Sequence, residues 1–326
     1  MKRAFLPWLV LFLFSITGAI AVAEPYSVLT YNLGLLRAFG SDLVPMVSAR
    51  AAVAPRELGK FAAATTPQIM LLEEVWRDAY AEAIAKELAS LGYAAIRPNV
   101  HSILGLNSGL LLLVKPPLTV VDWKFTPFSR TTFMDSFARK GVLEATLENS
   151  ETGSRFVLMG THTVAVDTVN GTPTDKGQVD AIMAQADQIL GAFRTRSGNG
   201  KIPALLLGDF NAGPGYIAGA YEKIAGYGSM RESGAVLSPS APIITWDPNN
   251  PLVKYGNYPE EPAAKIDHVF LQDGDVGKWS VLSARPMFID PVQGLSIVPS
   301  GSTTAVPSTL SDHYGFFTQV ELNTGP

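Results

Sequence analysis

The chain has 326 residues, 47% hydrophobic, 10% aromatic and 17% charged, with a formal net charge of −4 and no cysteine. That length allows one large domain or two small ones, and that balance buries enough apolar surface to offset chain entropy, which excludes disordered and low-complexity classes. Without disulfides, side-chain packing alone, or packing around a bound metal, must hold the fold.

The N-terminus opens Met1, Lys2, Arg3, runs apolar from Ala4 to Ile20 and closes on Ala21, Val22, Ala23. A basic start, a short apolar run and small residues two apart predict a signal peptide over residues 1–23, cleaved after Ala23. Cleavage removes Lys2 and Arg3 and no acid, leaving 23 basic against 29 acidic residues, a net −6. The expected product is secreted or periplasmic, with no transmembrane segment in the mature chain, since no later stretch reaches the roughly 18 apolar residues a spanning helix needs. Its acidity makes nucleic acid a poorer electrostatic partner.

Next, YSVLTYNL (26–33) reads as a strand and the Ala-rich residues 46–64 as a helix. QIMLLEEV (68–75) reads as a buried strand, 78–91 as a helix ended by Gly92, and 93–97 as a returning strand. The middle is strand-rich, at 109–114, 120–125, 141–147 and 155–162. Residues 177–196 place Val179, Ile182, Ala186, Ile189 and Phe193 on one helical face, and ALLLGDFN (204–211) follows as a buried strand. The last third is rich in Gly, Pro, Ser and Asn, with strands near 266–271 and 315–321. Strands outnumber helices and no linker divides the chain. Residues 24–326 are therefore expected to form one α/β domain of two packed β-sheets flanked by helices, a four-layer sandwich.

Polar residues recur at the ends of apolar strands: Asn32, Glu73 with Glu74, His162, Asp209 with Asn211, Asp267, and Asp312 with His313. Strand ends converge on one rim of a sheet, where a pocket can form. The chemistry such a set supports is metal-assisted hydrolysis. A hard cation such as Mg²⁺, or Mn²⁺, takes oxygen ligands, which Glu74, Asp312 and Asn32 supply. Asp209 and Asn211, two apart on a strand, face one side and can hold an attacking water. His313 can take its proton if Asp267 fixes the ring tautomer, and a protonated His162 would neutralise charge developing on phosphate oxygens.

The order YNL, LLEEVW, GTHTV, LLLGDFN, KIDHVFL, SDHYGFF across residues 28–317 resembles the endonuclease/exonuclease/phosphatase superfamily of divalent-metal phosphodiesterases and phosphatases. The resemblance implies metal ligation by Glu74 with Asn32 and Asp312 nearby, a catalytic pair Asp267 and His313, transition-state contact by His162, and water or leaving-group handling by Asp209 and Asn211. Within it, NSGLLLLV (107–114), ARKGVLEATL (138–147) and TWDPNNPL (245–252) resemble strings of secreted neutral sphingomyelinases. That implies a phospholipid substrate at a membrane surface, most simply sphingomyelin cleaved to ceramide and phosphocholine. The alternatives are an exported metal-dependent nuclease and a non-catalytic binding protein on the same fold. Two departures stand out: His268 follows Asp267 where many relatives carry Tyr, and Glu73 precedes Glu74 where Gln-Glu is common, leaving open which carboxylate meets the metal. Trp123, Phe125, Phe128 and Phe133 are the nearest candidates for a membrane-entering aromatic cluster, with core packing as their other reading.

Overall fold

The computed structural model describes residues 22–324 apart from 39, 134, 218 and 258–260. The leader expected at the N-terminus lies outside the described residues up to position 21, and Val22 and Ala23 open the first strand.

In chain order, β1 (Val22–Asn32) leads through helix α1 (Val47–Thr65) to β2 (Ile69–Glu73), which lies parallel to it. Helix α2 (Asp78–Ala89), β3 (Ala94–Ile96) and β4 (Leu111–Val114) follow. The chain then enters a second sheet through β5 (Leu118–Pro127), β6 (Gly141–Asn149) and β7 (Arg155–His162). Helix α3 (Lys176–Arg196) crosses over to β8 (Ala204–Asp209), parallel to β7. Helix α4 (Ala220–Ala225), β9 (Arg231–Glu232) and β10 (Asp267–Gln272) complete that sheet, while β11 (Lys278–Met287) and β12 (Gly315–Thr324) return to the first. The two six-stranded sheets have the orders β11-β12-β1-β2-β4-β3 and β9-β10-β8-β7-β6-β5.

The sheets pack face to face through Val28, Ile69, Leu71 and Leu112 on one side and Leu158, Leu205, Leu207 and Val269 on the other. Each buried side chain of this kind contributes about 1.5–3 kcal/mol of transfer free energy. Leu58, Phe61 and Ile84 of α1 and α2 cover the outer face of the first sheet, and Ile189 and Phe193 of α3 cover that of the second. Strands β2 and β8 are buried on both faces, which is why they read as unbroken apolar runs. The architecture is the expected α/β fold of two packed β-sheets flanked by helices. The ten-residue strand β11 lies outside the strands expected from the sequence: it is a sheet edge, mostly half-buried or exposed and carrying Pro286, so it shows no continuous apolar run. Among the described residues no helix is long and apolar enough to cross a membrane.

This topology places the site. The parallel strands β1, β2, β7 and β8 end at one rim, and the antiparallel strands β10 and β12 begin there. Register does the rest: Asn32 lies beside Glu73, and Asp209 lies between His162 on one neighbour and Asp267 on the other. Gly208 lets β8 approach this closely, since a Cβ there would fall 1.9 Å from the Thr161 carbonyl oxygen.

Candidate active site

Glu74, His162, Asp209, Asn211, Asp312 and His313 line one cleft at that rim, with Asn32 and Asp267 hydrogen-bonded just behind them. The two adjacent glutamates separate at the end of β2. Glu73 turns inward, accepts a hydrogen bond from Thr30 Oγ1 at 2.5 Å, and is pushed well above the ordinary carboxyl range by burial and the nearby Asp267 charge. Glu74 takes a left-handed φ of 58° and reaches the cleft, where Asn32 Nδ2 donates to its Oε1 at 3.2 Å and Trp76 Nε1 to its Oε2 at 3.3 Å.

Asn32 Nδ2 also donates to Asp209 Oδ2 at 2.8 Å, so one amide bridges two acids from different sheets. Its Oδ1 accepts from the Gly34 N–H at 2.9 Å and keeps a second lone pair. Asp209 and Asn211 do meet at the cleft, but not by strand alternation. The strand stops at Asp209, Asn211 sits at φ 46°, and its N–H donates to Asp209 Oδ1 at 2.8 Å in a tight Asx-type turn. Burial and the Asp267 charge push the Asp209 carboxyl up to about 7.

Asp267 Oδ2 holds His313 Nδ1 at 2.9 Å, and His313 Nε2 faces Asp209 Oδ2 at 3.8 Å. Burial alone would lower the imidazole pKa, yet the Asp267 and Asp209 carboxylates outweigh it and hold the ring well above its ordinary value. The loop carrying Asp312 and His313 precedes β12 and is braced by TWDPNNPL. Trp246 packs edge-on against the His313 ring at 5.1 Å between centroids, and Asn250 Nδ2 donates to the Ser311 and Asp312 carbonyls at 2.9 and 3.1 Å.

His162 departs from the cationic role expected of it. Burial first, then the Lys140 ammonium and His313, hold its pKa well below the ordinary value, which favours the neutral ring. The cation at that wall is Lys140, whose Nζ lies 3.2 Å from His162 Nε2, donates to the Thr163 carbonyl at 2.9 Å and pairs with Asp135 at 2.9 Å. Within ARKGV nothing local gives Lys140 a role, and its proximity to His162, 22 residues on, is a product of the β6–β7 register. His268 points away from the cleft: fully buried, it sets Nε2 2.9 Å from the Ala212 carbonyl oxygen and Nδ1 3.7 Å from Glu232, which itself pairs with Lys265 at 3.2 Å. Of the four aromatics considered for membrane entry, Phe128 is core and Phe125 packs against core, whereas Trp123 and Phe133 are exposed.

Two donor sets can receive a metal. Asp209, Asp267 and His313 each bring one ligand atom within 4.8 Å of the others. His313 Nδ1 and Asp267 Oδ2 are already committed to each other, however, which favours the second set, Glu74 and Asp312 with Asn32. Burial and the Asp312 charge raise the Glu74 carboxyl, the environment in which a hard divalent cation supplies the missing counter-charge. Gly34 shapes the Asp312 side of this set: its φ is +56° and an added Cβ would lie 2.5 Å from Asp312 Oδ1.

Residues 29–313 match the family described as "Endonuclease/Exonuclease/phosphatase family". No curated protein matches the sequence. Among solved structures, the chain is similar to D. rerio TDP2 complexed with single strand DNA product, with 16% identity over 91% of this chain and 98% of that one at a TM-score of 0.64. It is also similar to the human Nocturnin catalytic domain with bound sulfate anion, at 19% identity, 93% and 97% coverage and a TM-score of 0.62. A mannosyl-6-phosphatase of Bacteroides thetaiotaomicron VPI-5482 is similar at 18% identity, 91% and 99% coverage and a TM-score of 0.62. At these identities the likeness is one of fold.

Proposed function

The chain belongs to the endonuclease/exonuclease/phosphatase family, whose members are metal-dependent phosphoric ester hydrolases, and from that premise we propose that it is an exported phosphodiesterase acting on a phospholipid headgroup, with sphingomyelin as the first substrate to test. The observation that carries the hydrolytic reading is the single cleft in which the Asp267–His313 pair faces Asp209 while Glu74 and Asp312 offer oxygen donors. Enzymes of this family use a divalent metal, which when bound polarises a phosphoryl oxygen as a Lewis acid. Glu74 and Asp312, with Asn32, would hold it.

The remaining work falls to the protein's own groups. Asp209 and Asn211 bracket the position of an attacking water, and His313 accepts its proton on Nε2 while Asp267 fixes Nδ1. His162 contributes as a neutral ring, and Lys140 behind it supplies positive charge where phosphoryl oxygens gain negative charge. The choline end of sphingomyelin is a cation, and the cleft lining includes Asp167, Glu261, Tyr216 and Trp246, side chains of the kinds that receive one. Apart from Lys140 behind His162, the described residues at the cleft include no lysine or arginine to track a nucleic-acid backbone.

The purified protein with Mg²⁺, assayed in parallel on sphingomyelin, phosphatidylcholine, a phosphoinositide and supercoiled plasmid, should release phosphocholine from sphingomyelin and leave the plasmid intact. Plasmid nicking without lipid turnover would transfer the assignment to the exported nuclease. Export has its own check: N-terminal sequencing of protein recovered from the periplasm or medium should begin at Glu24, and an intact Met1 there would refute cleavage.

A further inference from the structure

Helix α1 contributes one basic side chain that is fully buried, Arg50. A guanidinium presents five N–H donors in a rigid planar fork, and removing it from water is tolerable only when those donors are met. Here five backbone carbonyls meet them. Nε donates to Pro45 O at 2.8 Å, Nη1 to Leu33 O at 2.6 Å and Leu310 O at 3.2 Å, and Nη2 to Gly34 O at 2.6 Å and Val44 O at 3.4 Å.

Those carbonyls come from three loops that wall the cleft. Leu33 and Gly34 directly follow Asn32, Leu310 precedes Asp312 by two residues, and Val44 belongs to the Leu43–Val44 wall. Because the fork is rigid, one side chain fixes the spacing of all three. A second tie runs between the two ligand-bearing loops, where Ser311 Oγ donates to the Asn32 carbonyl at 2.7 Å. The Arg50 charge also lies within electrostatic reach of Asp312 and Glu74.

We infer that Arg50 is a positioning residue for the metal centre: it holds the Asn32 and Asp312 loops in their ligating arrangement before a cation arrives. The inference rests on the metal-dependent reading of the cleft. It requires that the fork geometry, and not merely a positive charge, set metal affinity.

Arg50→Lys keeps the charge but replaces five fixed donors with three on a flexible stem. In calorimetric titration of the folded proteins with Mg²⁺ alone, without substrate, Arg50→Lys should bind about 10- to 100-fold more weakly than wild type, the range for lost support around metal ligands. Melting temperature without Mg²⁺ is measured alongside. A merely structural role would lower the melting temperature and leave the Mg²⁺ Kd unchanged, and that result would overturn the inference. If Arg50→Lys does not fold, Ser311→Ala decides on the same titration: it removes the bond to the Asn32 carbonyl together with the Oγ contacts to Asp312 Oδ1 at 3.0 Å and the His313 N–H at 3.3 Å, and should weaken Mg²⁺ binding at least about fivefold, whereas an unchanged Kd would overturn the inference that ties between these loops set metal affinity. Wild-type protein that bound no Mg²⁺ would bring down the metal-dependent reading itself and the inference with it, an outcome distinct from equal binding by wild type and variant.

Discussion

His313→Ala should lower turnover by about 10²- to 10⁴-fold in a protein that remains folded, and Asp267→Asn should fall in the same range. In-line attack needs a water to lose its proton as the new phosphorus–oxygen bond forms, and His313 Nε2 faces the cleft while Asp267 holds Nδ1 at 2.9 Å. Because the two act as a unit, the double variant should be little worse than His313→Ala alone. The pH profile carries the sign. The Asp267 and Asp209 charges raise the His313 pKa against the effect of burial, so the imidazole is protonated at lower pH and accepts a proton only above its elevated pKa. The wild-type rate should therefore climb with pH through that value. Asp267→Asn removes a charge that raises it, so the residual activity should climb at lower pH than in wild type. A limb unmoved by Asp267→Asn would assign the titration to a group that does not feel the Asp267 charge, which excludes Asp209 as well as His313. His268→Tyr is the control: that ring is buried away from the cleft against the Ala212 carbonyl, so the change should lower the melting temperature and leave the pH limb in place.

Chelation should abolish activity and Mg²⁺ should restore it, since the donors that Glu74, Asp312 and Asn32 offer are oxygens suited to a hard divalent cation. Glu74→Gln keeps the shape of the side chain but removes the charge that faces Asp312, and should raise the Mg²⁺ concentration for half-maximal activity by at least about tenfold. Glu73→Gln provides the contrast. Its carboxyl is buried under Thr30 and pushed well above the ordinary range, which favours the neutral acid, and an amide replaces that acid nearly isosterically. The Mg²⁺ response of Glu73→Gln should match wild type. Full activity in chelator would remove the metal from the mechanism, and a Glu73→Gln response as weak as Glu74→Gln would move the ligand to the neighbouring residue.

The frame of the fold is legible in local sequence. Buried strands announce themselves locally, because QIMLLEE and ALLLGD are apolar runs that end in acids, and a strand buried on both faces has no other way to read. The same local rule exposed Asn32, Glu74, His162, Asp209 and Asp267, since a polar group at the end of such a run needs a partner or a purpose. Tertiary structure alone decided what each of these groups is. Whether Glu73 or Glu74 meets the cleft turns on a left-handed backbone at one residue, and Asn211 reaches Asp209 through a turn where alternation along a longer strand was expected. Protonation states are through-space quantities. The His162 pKa is lowered by burial and then by Lys140, which the start of β6 sets 3.2 Å away, and the His313 pKa is raised because β8 and β10 deliver two carboxylates to it. Arg50 is the extreme case: in sequence it is one arginine on an Ala-rich helix, and only the converging of three loops from positions 33–34, 44–45 and 310 turns it into the residue that spaces them. Hydrophobic periodicity records which face of an element is buried, but a charge takes its meaning from neighbours far along the chain, and those are known only once the sheets have closed on each other.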